Sequence, residues 1–208
     1  MKYLDNEEYD KAIEDFDRSI SLSETAEAYN GRGIAYYEKG EYIQSLGSFN
    51  MAIDLNSRDY KPFYNRGNAY MQLKYYNKAI SDYEHALVRK PDDPDIYINK
   101  GNTHFYLKQF DKAIEEFNKA IKLDNKNYLT FFNKGKIQAI LQKYDSAHTS
   151  LEKSIGLNAD HPASLYWLGV CEIENGNKNG GCEYFRQATE LGNPDAKKAL
   201  SEICNENI

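Results

Sequence analysis

Asparagine side chains recur at a fixed spacing in this sequence, at Asn65, Asn99 and Asn133. A side-chain amide carries a hydrogen-bond donor and an acceptor, the same two groups that a peptide unit presents. A row of such amides could therefore hold successive peptide units of an extended ligand. The alternative is a structural role, in which each amide bonds the end of a neighbouring helix. The sequence leaves both interpretations open.

A second series at the same spacing is basic and consists of Arg32, Arg66, Lys100 and Lys134. Such a row could bind an anion. Acidic residues, however, accompany it elsewhere in the chain, at Asp15, Asp82 and Glu116. We therefore predict ion pairs between helices rather than a ligand site, each contributing little to stability if it is exposed.

The residue types that carry catalysis or bind metals form no recognisable site. The glycine spacing of residues 176–181 is similar to that of a phosphate-binding loop, but Cys182 and Glu183 stand where lysine and serine or threonine are required. No metal-ligand spacing connects the four histidines, which are His85, His104, His148 and His161. The sequence thus predicts no catalytic residue, no metal site and no cofactor.

Three cysteines, Cys171, Cys182 and Cys204, leave two alternatives. All three could be small buried thiols in a reducing compartment. Cys182 and Cys204 also lie at equal distances from the turn at Asn193, so an antiparallel helix pair would place them level with each other. A disulfide between them would imply an oxidising compartment.

The elements that position these residues follow a repeat of 34 residues. Residues 63–70 return in register as residues 97–104, and residues 76–80 return as residues 110–114. A fixed period of this length is typical of a stacked repeat array. Within each copy, apolar residues follow helical spacing in two runs of about 12 to 14 residues, separated by a short turn. Each copy is therefore predicted to be an antiparallel helix hairpin.

Extending the period predicts a single domain over residues 1–208. Full copies are expected at 26–59, 60–93, 94–127, 128–161 and 162–195. Residues 1–25 form a half repeat, and residues 196–208 form a capping helix and tail. We also expect a small residue of each first helix, such as Gly67, to face a small residue of the second, such as Ala79, so that a larger side chain there would overpack the contact.

Over the 34-residue period the key residues follow in the order of a large aromatic residue, glycine, an aromatic, alanine, an aromatic and alanine. This pattern resembles that of the tetratricopeptide repeat family. The likeness covers nearly the whole chain; its departures are His104, Gln138 and Glu172 in first helices and Lys178 in the last copy. The resemblance implies an all-α fold, a right-handed α-solenoid superhelix of antiparallel helix hairpins whose first helices line a concave groove. It also implies protein–protein interaction and no enzymatic activity.

The resemblance further implies which residues line the peptide-binding groove. By repeat position they are Asn30, Tyr64, Asn65, Asn68, Met71, Ile98, Asn99, Asn102, Phe105, Phe132, Asn133, Lys136 and Tyr166. Some relatives hold a C-terminal carboxylate in a clamp of asparagines and cations. At the corresponding places, Asn68 and Asn99 supply the amides, but the cations are replaced by Tyr64, Leu129 and Asn133. A carboxylate clamp is therefore disfavoured.

The composition bounds the partner class and the compartment. The net charge of -6 argues against binding to the phosphate backbone of nucleic acid. No apolar run approaches the roughly 20 residues that span a bilayer, and residues 1–10 lack the apolar core of a signal peptide. We predict a cytoplasmic protein, or an exported one if a signal precedes the first half repeat.

Two functions are consistent with these observations. In the first, the chain is a scaffold that binds an extended or helical peptide segment of a partner protein in the concave groove. In the second, it self-associates into a homo-oligomer, because the half repeat leaves the apolar face of Ile13, Phe16 and Ile20 without full cover. The sequence does not identify the partner.

Overall fold

The computed structural model of the protein describes residues 6–204, with side chains from residue 8 onward. Every regular element in this range is an α-helix. In chain order the helices are α1 (Asn6–Leu22), α2 (Ala26–Glu38), α3 (Tyr42–Leu55), α4 (Lys61–Gln72), α5 (Tyr76–Arg89), α6 (Pro94–Tyr106), α7 (Phe110–Leu123), α8 (Tyr128–Ile140), α9 (Tyr144–Leu157), α10 (Pro162–Glu174), α11 (Lys178–Glu190) and α12 (Pro194–Ile203). The fold is an all-α helical-repeat solenoid, which confirms the predicted fold class.

Capping chemistry in the sequence explains where several helices begin. A side-chain oxygen accepts a hydrogen bond from a first-turn N–H at the start of α2, α6, α8 and α12, and the capping residues are Thr25, Asp93, Asn127 and Asn193. Proline occupies the first position of α6, α10 and α12, where a missing N–H leaves no bond unmade.

The chain divides into two compact units, the first ending at Lys108 and the second beginning at Gln109. In the first unit, α2 pairs with α3 and α4 with α5, while α1 packs on α2 and α6 on α5. In the second unit, α8 pairs with α9 and α10 with α11, while α7 packs on α8 and α12 on α11. The boundary falls between the two helices of the third predicted copy. A single domain over the whole chain stays a prediction.

In the first, second, fourth and fifth hairpins, a glycine of the first helix receives a large side chain from the second. A Cβ on Gly33 would lie 2.5 Å from Cε1 of Phe49, and a Cβ on Gly67 would lie 2.8 Å from Cε1 of Tyr83. Phe49 and Tyr83 are completely buried. The absence of a side chain on the first helix therefore makes room for the aromatic ring that fills the hairpin.

The expected contact between small residues is also present, but it is not the closest one. The backbone oxygen of Ala147 lies 3.2 Å from a Cβ placed on Gly135, and that of Gly181 lies 3.1 Å from a Cβ on Gly169. At Gly135 the nearest atom is instead Cγ of Leu151, at 2.7 Å. Both the small pair and the large side chain thus set the distance between the helices.

The basic series makes ion pairs between helices, as predicted, although one partner differs. Arg66 donates from Nε and Nη2 to the two carboxylate oxygens of buried Asp82, at 2.8 and 2.7 Å. Arg32 pairs with Asp17 at 2.6 Å. The expected partner, Asp15, lies two residues earlier, about 200° away around α1, and contacts Arg18 instead.

The later members of the series diverge. Lys100 pairs with Glu84 at 3.1 Å. Lys134 has no ion pair among residues 8–204, and burial lowers the pKa of its ammonium group. In the position that corresponds to Asp82, the second helix carries Ser150, whose hydroxyl donates to Oε1 of Gln138 at 2.7 Å. The prediction of an ion pair at Lys134 is therefore wrong: Glu116, the acid of the preceding second helix, pairs with Lys119 on its own helix at 3.3 Å, and Ser150 is neutral.

Candidate peptide-binding face

The predicted groove residues all lie on first helices, and each of them is partly buried. In the first unit, α2 carries Asn30, α4 carries Tyr64, Asn65, Asn68 and Met71, and α6 carries Ile98, Asn99, Asn102 and Phe105. In the second unit, α8 carries Phe132, Asn133 and Lys136, and α10 carries Tyr166. Partial exposure on one set of helices is what a ligand-binding face requires.

Hydrogen bonds connect the asparagines of the first unit from one first helix to the next. Nδ2 of Asn65 on α4 donates to Oδ1 of Asn30 on α2 at 3.0 Å. Nδ2 of Asn99 on α6 donates to the hydroxyl of Tyr64 on α4 at 2.9 Å. The asparagines therefore bond side chains on neighbouring first helices, rather than the helix ends that the structural alternative expected.

The hydrogen-bond directions are fixed by a buried tyrosine. The hydroxyl of Tyr83 donates to Oδ1 of Asn68 at 2.8 Å, and Nδ2 of Asn99 donates to the same oxygen at 3.0 Å. With its second hydrogen on Tyr64, the amide nitrogen of Asn99 is fully used. Within residues 8–204, Oδ1 of Asn99 and Oδ1 of Asn65 accept no hydrogen bond, so both amides keep an acceptor for a ligand.

Two pockets flank this hydrogen-bonded row. The first has a volume of about 310 Å³ and is lined by Asn30, Ile34, Tyr60, Lys61, Tyr64, Asn65, Asp93 and Asp95. The second has a volume of about 170 Å³ and is lined by Tyr37, Asn68, Met71, Gln72, Tyr83, Asn99 and Asn102. Asn99 lines the second pocket and donates a hydrogen bond to Tyr64, which lines the first.

The pockets differ in charge. The first holds Lys61 and Asp95, which are exposed, and Asp93, whose carboxylate binds Lys90 at 2.9 Å and caps α6. Burial raises the pKa of the Tyr64 hydroxyl, and the nearby Asp95 and Asp93 carboxylates raise it further, so Tyr64 remains a neutral hydrogen-bonding group. The second pocket has only uncharged lining residues.

Several lining residues were absent from the predicted set. Ile34 and Tyr37 line the pockets and occupy the same repeat positions as predicted residues of other copies, while Lys61 and Asp95 occupy the second position of their copies and Gln72 the thirteenth. A uniform use of those positions in every copy would have found them. Tyr60, Tyr83 and Asp93 have no such signal; they are brought to the pockets by helix packing.

In the second unit, the predicted aromatic residues take part in packing. The Phe132 ring meets the His161 ring edge to face, with centroids 4.7 Å apart. Nδ1 of His161 lies 2.7 Å from Oγ of Ser164, and burial lowers the pKa of the imidazole. Tyr166 packs against Phe185, with ring centroids 5.8 Å apart. These contacts hold both aromatic residues in place on α8 and α10.

The residues predicted for self-association are covered in part by α2. Ile13 is buried, with 8% of its surface exposed, and Phe16 and Ile20 are partly buried. The Phe16 ring lies directly against Gly31, where no Cβ could fit. The expected lack of cover is therefore wrong for Ile13, because α2 already packs on α1. Self-association through this face stays a prediction.

Cys182 on α11 and Cys204 after α12 are joined by a disulfide, with their Cα atoms 5.9 Å apart. This is the pairing considered from the sequence, and it differs from the alternative of three free thiols. Cys171 is a free, completely buried thiol, and burial raises its pKa to about 11. A thiol in that environment is unreactive near neutral pH.

Two other kinds of site, a membrane-spanning helix and a metal cluster, are absent from residues 6–204. Across residues 6–204, no helix combines the length and the apolar character that a membrane span needs. In the same part of the chain, no three His, Cys, Asp or Glu residues are grouped so that they could hold a metal ion.

Solved structures with the same fold include three that cover most of both chains. YrrB, described as a TPR protein with an unusual peptide-binding site, is 22% identical over 91% of this chain and 98% of its own, with a TM-score of 0.77. MamA is 20% identical over 80% and 96%, with a TM-score of 0.73. MamA from Desulfovibrio magneticus RS-1 is 17% identical over 80% and 94%, with a TM-score of 0.75. At these identities the likeness shows the fold.

No curated protein matches the sequence. Family models do match it. One tetratricopeptide repeat model covers residues 2–60 and 133–196, which is more than half of the chain; a second covers residues 94–127, and a TPR repeat model covers residues 67–108. The aromatic, glycine and alanine positions that built the helix hairpins are thus those of a known repeat, and the chain belongs to the tetratricopeptide repeat family.

Proposed function

We propose that this protein is an interaction scaffold that binds an extended peptide segment of a partner protein along α2, α4 and α6. The observation that carries the proposal is the row of hydrogen-bonded side chains from Asn30 to Asn99 with a pocket on each side. Tetratricopeptide repeat proteins are generally scaffolds without enzymatic activity, and YrrB, which shares the fold, is described with a peptide-binding site.

The unused groups of the row match the needs of a peptide backbone. Oδ1 of Asn65 and Oδ1 of Asn99 can each accept a hydrogen bond from a backbone N–H. Within residues 8–204, Nδ2 of Asn30 donates no hydrogen bond, so it can donate to a backbone carbonyl. An extended chain rises about 3.3 Å per residue, so several of its peptide units pass along these helices.

The pockets would receive the side chains of the same peptide. The first is the larger and contains Lys61 and Asp95, so it suits a polar or charged side chain. The second is smaller and uncharged, so it suits a small neutral side chain. Because Asn65 and Asn99 are already held by intramolecular hydrogen bonds, little side-chain freedom is lost when a peptide binds.

The test begins with selection of peptides from a random displayed library on the wild-type protein. Fluorescence anisotropy then compares the Kd of the best peptide for wild type, Asn99→Ala and a control, Asn118→Ala, which is exposed on α7. We expect Asn99→Ala to weaken binding by about 5- to 10-fold, since one hydrogen bond contributes roughly 1 kcal/mol. Asn118→Ala should leave the Kd unchanged.

A second variant separates binding from folding, because Asn99 also holds Tyr64 and Asn68. Ile34→Trp would fill the first pocket without removing a hydrogen bond of the row, since Ile34 lines that pocket and is 40% exposed. It should weaken binding while the melting temperature stays at the wild-type value. Equal affinity of wild type, Asn99→Ala and Ile34→Trp would refute the proposed peptide site.

The alternative function predicted from the sequence is self-association through Ile13, Phe16 and Ile20. It has less support, since Ile13 is buried under α2. Multi-angle light scattering of the purified protein over a hundredfold range of concentration tests it. A monomer throughout that range would reject the alternative, whereas a dimer that Phe16→Asp dissociates would support it.

A further inference from the structure

A second surface of the first unit lies at the C-terminal ends of α4 and α6, outside the candidate peptide-binding face. We call it the tyrosine–lysine edge, and its residues are Lys74, Tyr75, Tyr76, Lys78, Tyr106 and Lys108. The Tyr76 ring stacks on the Tyr106 ring, with centroids 5.7 Å apart and planes 6° from parallel. This stacking connects the start of α5 with the end of α6. Tyr75 and Tyr106 remain 50% and 56% exposed.

The edge is positively charged on a protein whose net charge is -6. Lys74, Lys78 and Lys108 are exposed, and within residues 8–204 none of them makes an ion pair. The Lys78 ammonium lies 5.2 Å from the centre of the Tyr75 ring. The sequence has no Asp or Glu in residues 60–81 or in residues 96–110. The acids that follow these stretches, Asp82 and Asp111, pair with Arg66 and Lys143 rather than with the lysines of the edge.

The backbone of two of these lysines is strained. Lys74 has a φ of 61° and Lys108 a φ of 57°, a region that L-residues other than glycine rarely adopt. The same turn in the first and last full copies carries Gly40 and Gly176, at φ values of 82° and 85°. Glycine would relieve the strain at both lysines. Two lysines thus stand at a turn position where the first and last full copies use glycine, the residue that this helix end favours.

We propose that the tyrosine–lysine edge binds an acidic segment of a partner protein. Carboxylates of that segment meet the ammonium groups of Lys74, Lys78 and Lys108, while its apolar atoms pack on the exposed rings of Tyr75 and Tyr106. α4 contacts α6, and helices in contact lie roughly 8 to 10 Å apart, a distance that an extended segment of about three to five residues spans.

The charge of the whole molecule favours a peptide over nucleic acid. Duplex DNA carries a negative charge about every 1.7 Å along its axis, and its binding requires many more cations than this edge provides. A protein of net charge -6 repels such a polyanion, whereas a short segment with a few carboxylates meets only the local positive field.

The decisive variant is the double substitution Lys74→Gly and Lys108→Gly. It removes two charges and relieves two strained residues, so we expect the melting temperature to equal or exceed that of wild type. The probe is a fluorescein-labelled, capped peptide of sequence Glu-Asp-Glu-Leu-Glu-Asp-Glu, measured by anisotropy at low salt. We expect the Kd to rise at least about fivefold in the double variant. Stability and affinity would then change in opposite directions.

The chain offers a matched control in Gln142, which occupies the same turn position in the fourth copy with a φ of 58°. Gln142→Gly relieves strain without removing a charge, so the probe should bind it as it binds wild type. The pair Lys74→Gln and Lys108→Gln keeps the side-chain length and should reproduce the loss of affinity. Asn99→Ala should bind the probe normally, which separates this surface from the peptide-binding face.

Three results would overturn the proposal. One is unchanged affinity of both lysine double variants for the acidic probe. Another is equal binding of a control peptide in which every Glu and Asp is replaced by Gln and Asn. The third is binding of a single-stranded oligothymidylate at least as tightly as the acidic peptide, which would assign the edge to nucleic acid instead.

Discussion

Gly33→Ala and Gly47→Ala add the same methyl group to the two helices of one hairpin, and they should change stability in opposite directions. Gly33 lies on α2, where a Cβ would be 2.5 Å from Cε1 and 2.6 Å from Cδ1 of Phe49. Real Cβ contacts essentially never fall below 3.0 Å, so the ring or the helix must move. Phe49 is completely buried and has little room to do so. Gly47 lies on α3 with nothing within 4 Å of the added Cβ.

The magnitudes follow from two opposing effects. Alanine stabilises a helix interior by about 0.8 to 1 kcal/mol relative to glycine. Gly47→Ala should gain most of this amount. At Gly33 the gain is opposed by overpacking, which costs about 1 to 3 kcal/mol. The two variants should therefore differ in free energy of unfolding by about 1 to 3 kcal/mol, with Gly33→Ala the less stable.

Urea unfolding of the full chain, followed by circular dichroism, measures this difference by linear extrapolation. Repeat arrays can unfold in parts, so amide hydrogen exchange within α2 and α3 provides the local readout. Exchange should slow in Gly47→Ala and quicken in Gly33→Ala. If Gly33→Ala proves as stable as Gly47→Ala, the close packing of the ring on α2 is not what fixes this hairpin.

Three further predictions concern charged and titratable groups. Burial holds the pKa of His161 below 6.5, so at lower pH the unfolded chain binds more protons than the folded one. The free energy of unfolding should therefore fall as the pH drops through 6.5 towards the folded pKa. His161→Asn should flatten this pH dependence in urea titrations at about pH 5 to 8. Asp82→Asn should lower the free energy of unfolding by about 2 to 3 kcal/mol, since it leaves the partly buried Arg66 without its two charged bonds; a change within 0.5 kcal/mol would contradict this. Ser150→Asp should give Lys134 the partner that Arg66 has, and NMR titration of the lysine side chain should show its pKa raised above the wild-type value.

The local features of the fold could be predicted from the sequence. The 34-residue period and the helical spacing within each copy predicted paired helices throughout, and the fold is all-α. The segment after Asn193 was expected to form one more helix, and α12 begins at Pro194 with Asn193 as its cap. Such features are readable because caps, prolines and amphipathic spacing act over a few residues and need no knowledge of the neighbouring helix.

Part of the candidate site could be predicted in the same way. The repeat positions placed Asn65 and Asn99 on one set of helices, and both lie there, partly exposed. The repeat positions alone did not show that Asn99 donates both amide hydrogens, one to Tyr64 and one to Asn68. Nor did they show that the Tyr83 hydroxyl donates a second hydrogen bond to Asn68. Hydrogen-bond direction depends on every neighbour of an amide, and those neighbours come from three different helices.

The sequence by itself thus determined the period, the helices and the face on which each residue of a helix lies. Only the tertiary structure decided which side chains meet across helices: Asp17 rather than Asp15 for Arg32, and Cys182 with Cys204 rather than three free thiols. The physical reason is that these contacts join residues 15 to 35 positions apart. Whether they form depends on the rotation and offset of each helix against the next, which packing sets and which a periodic pattern leaves undetermined.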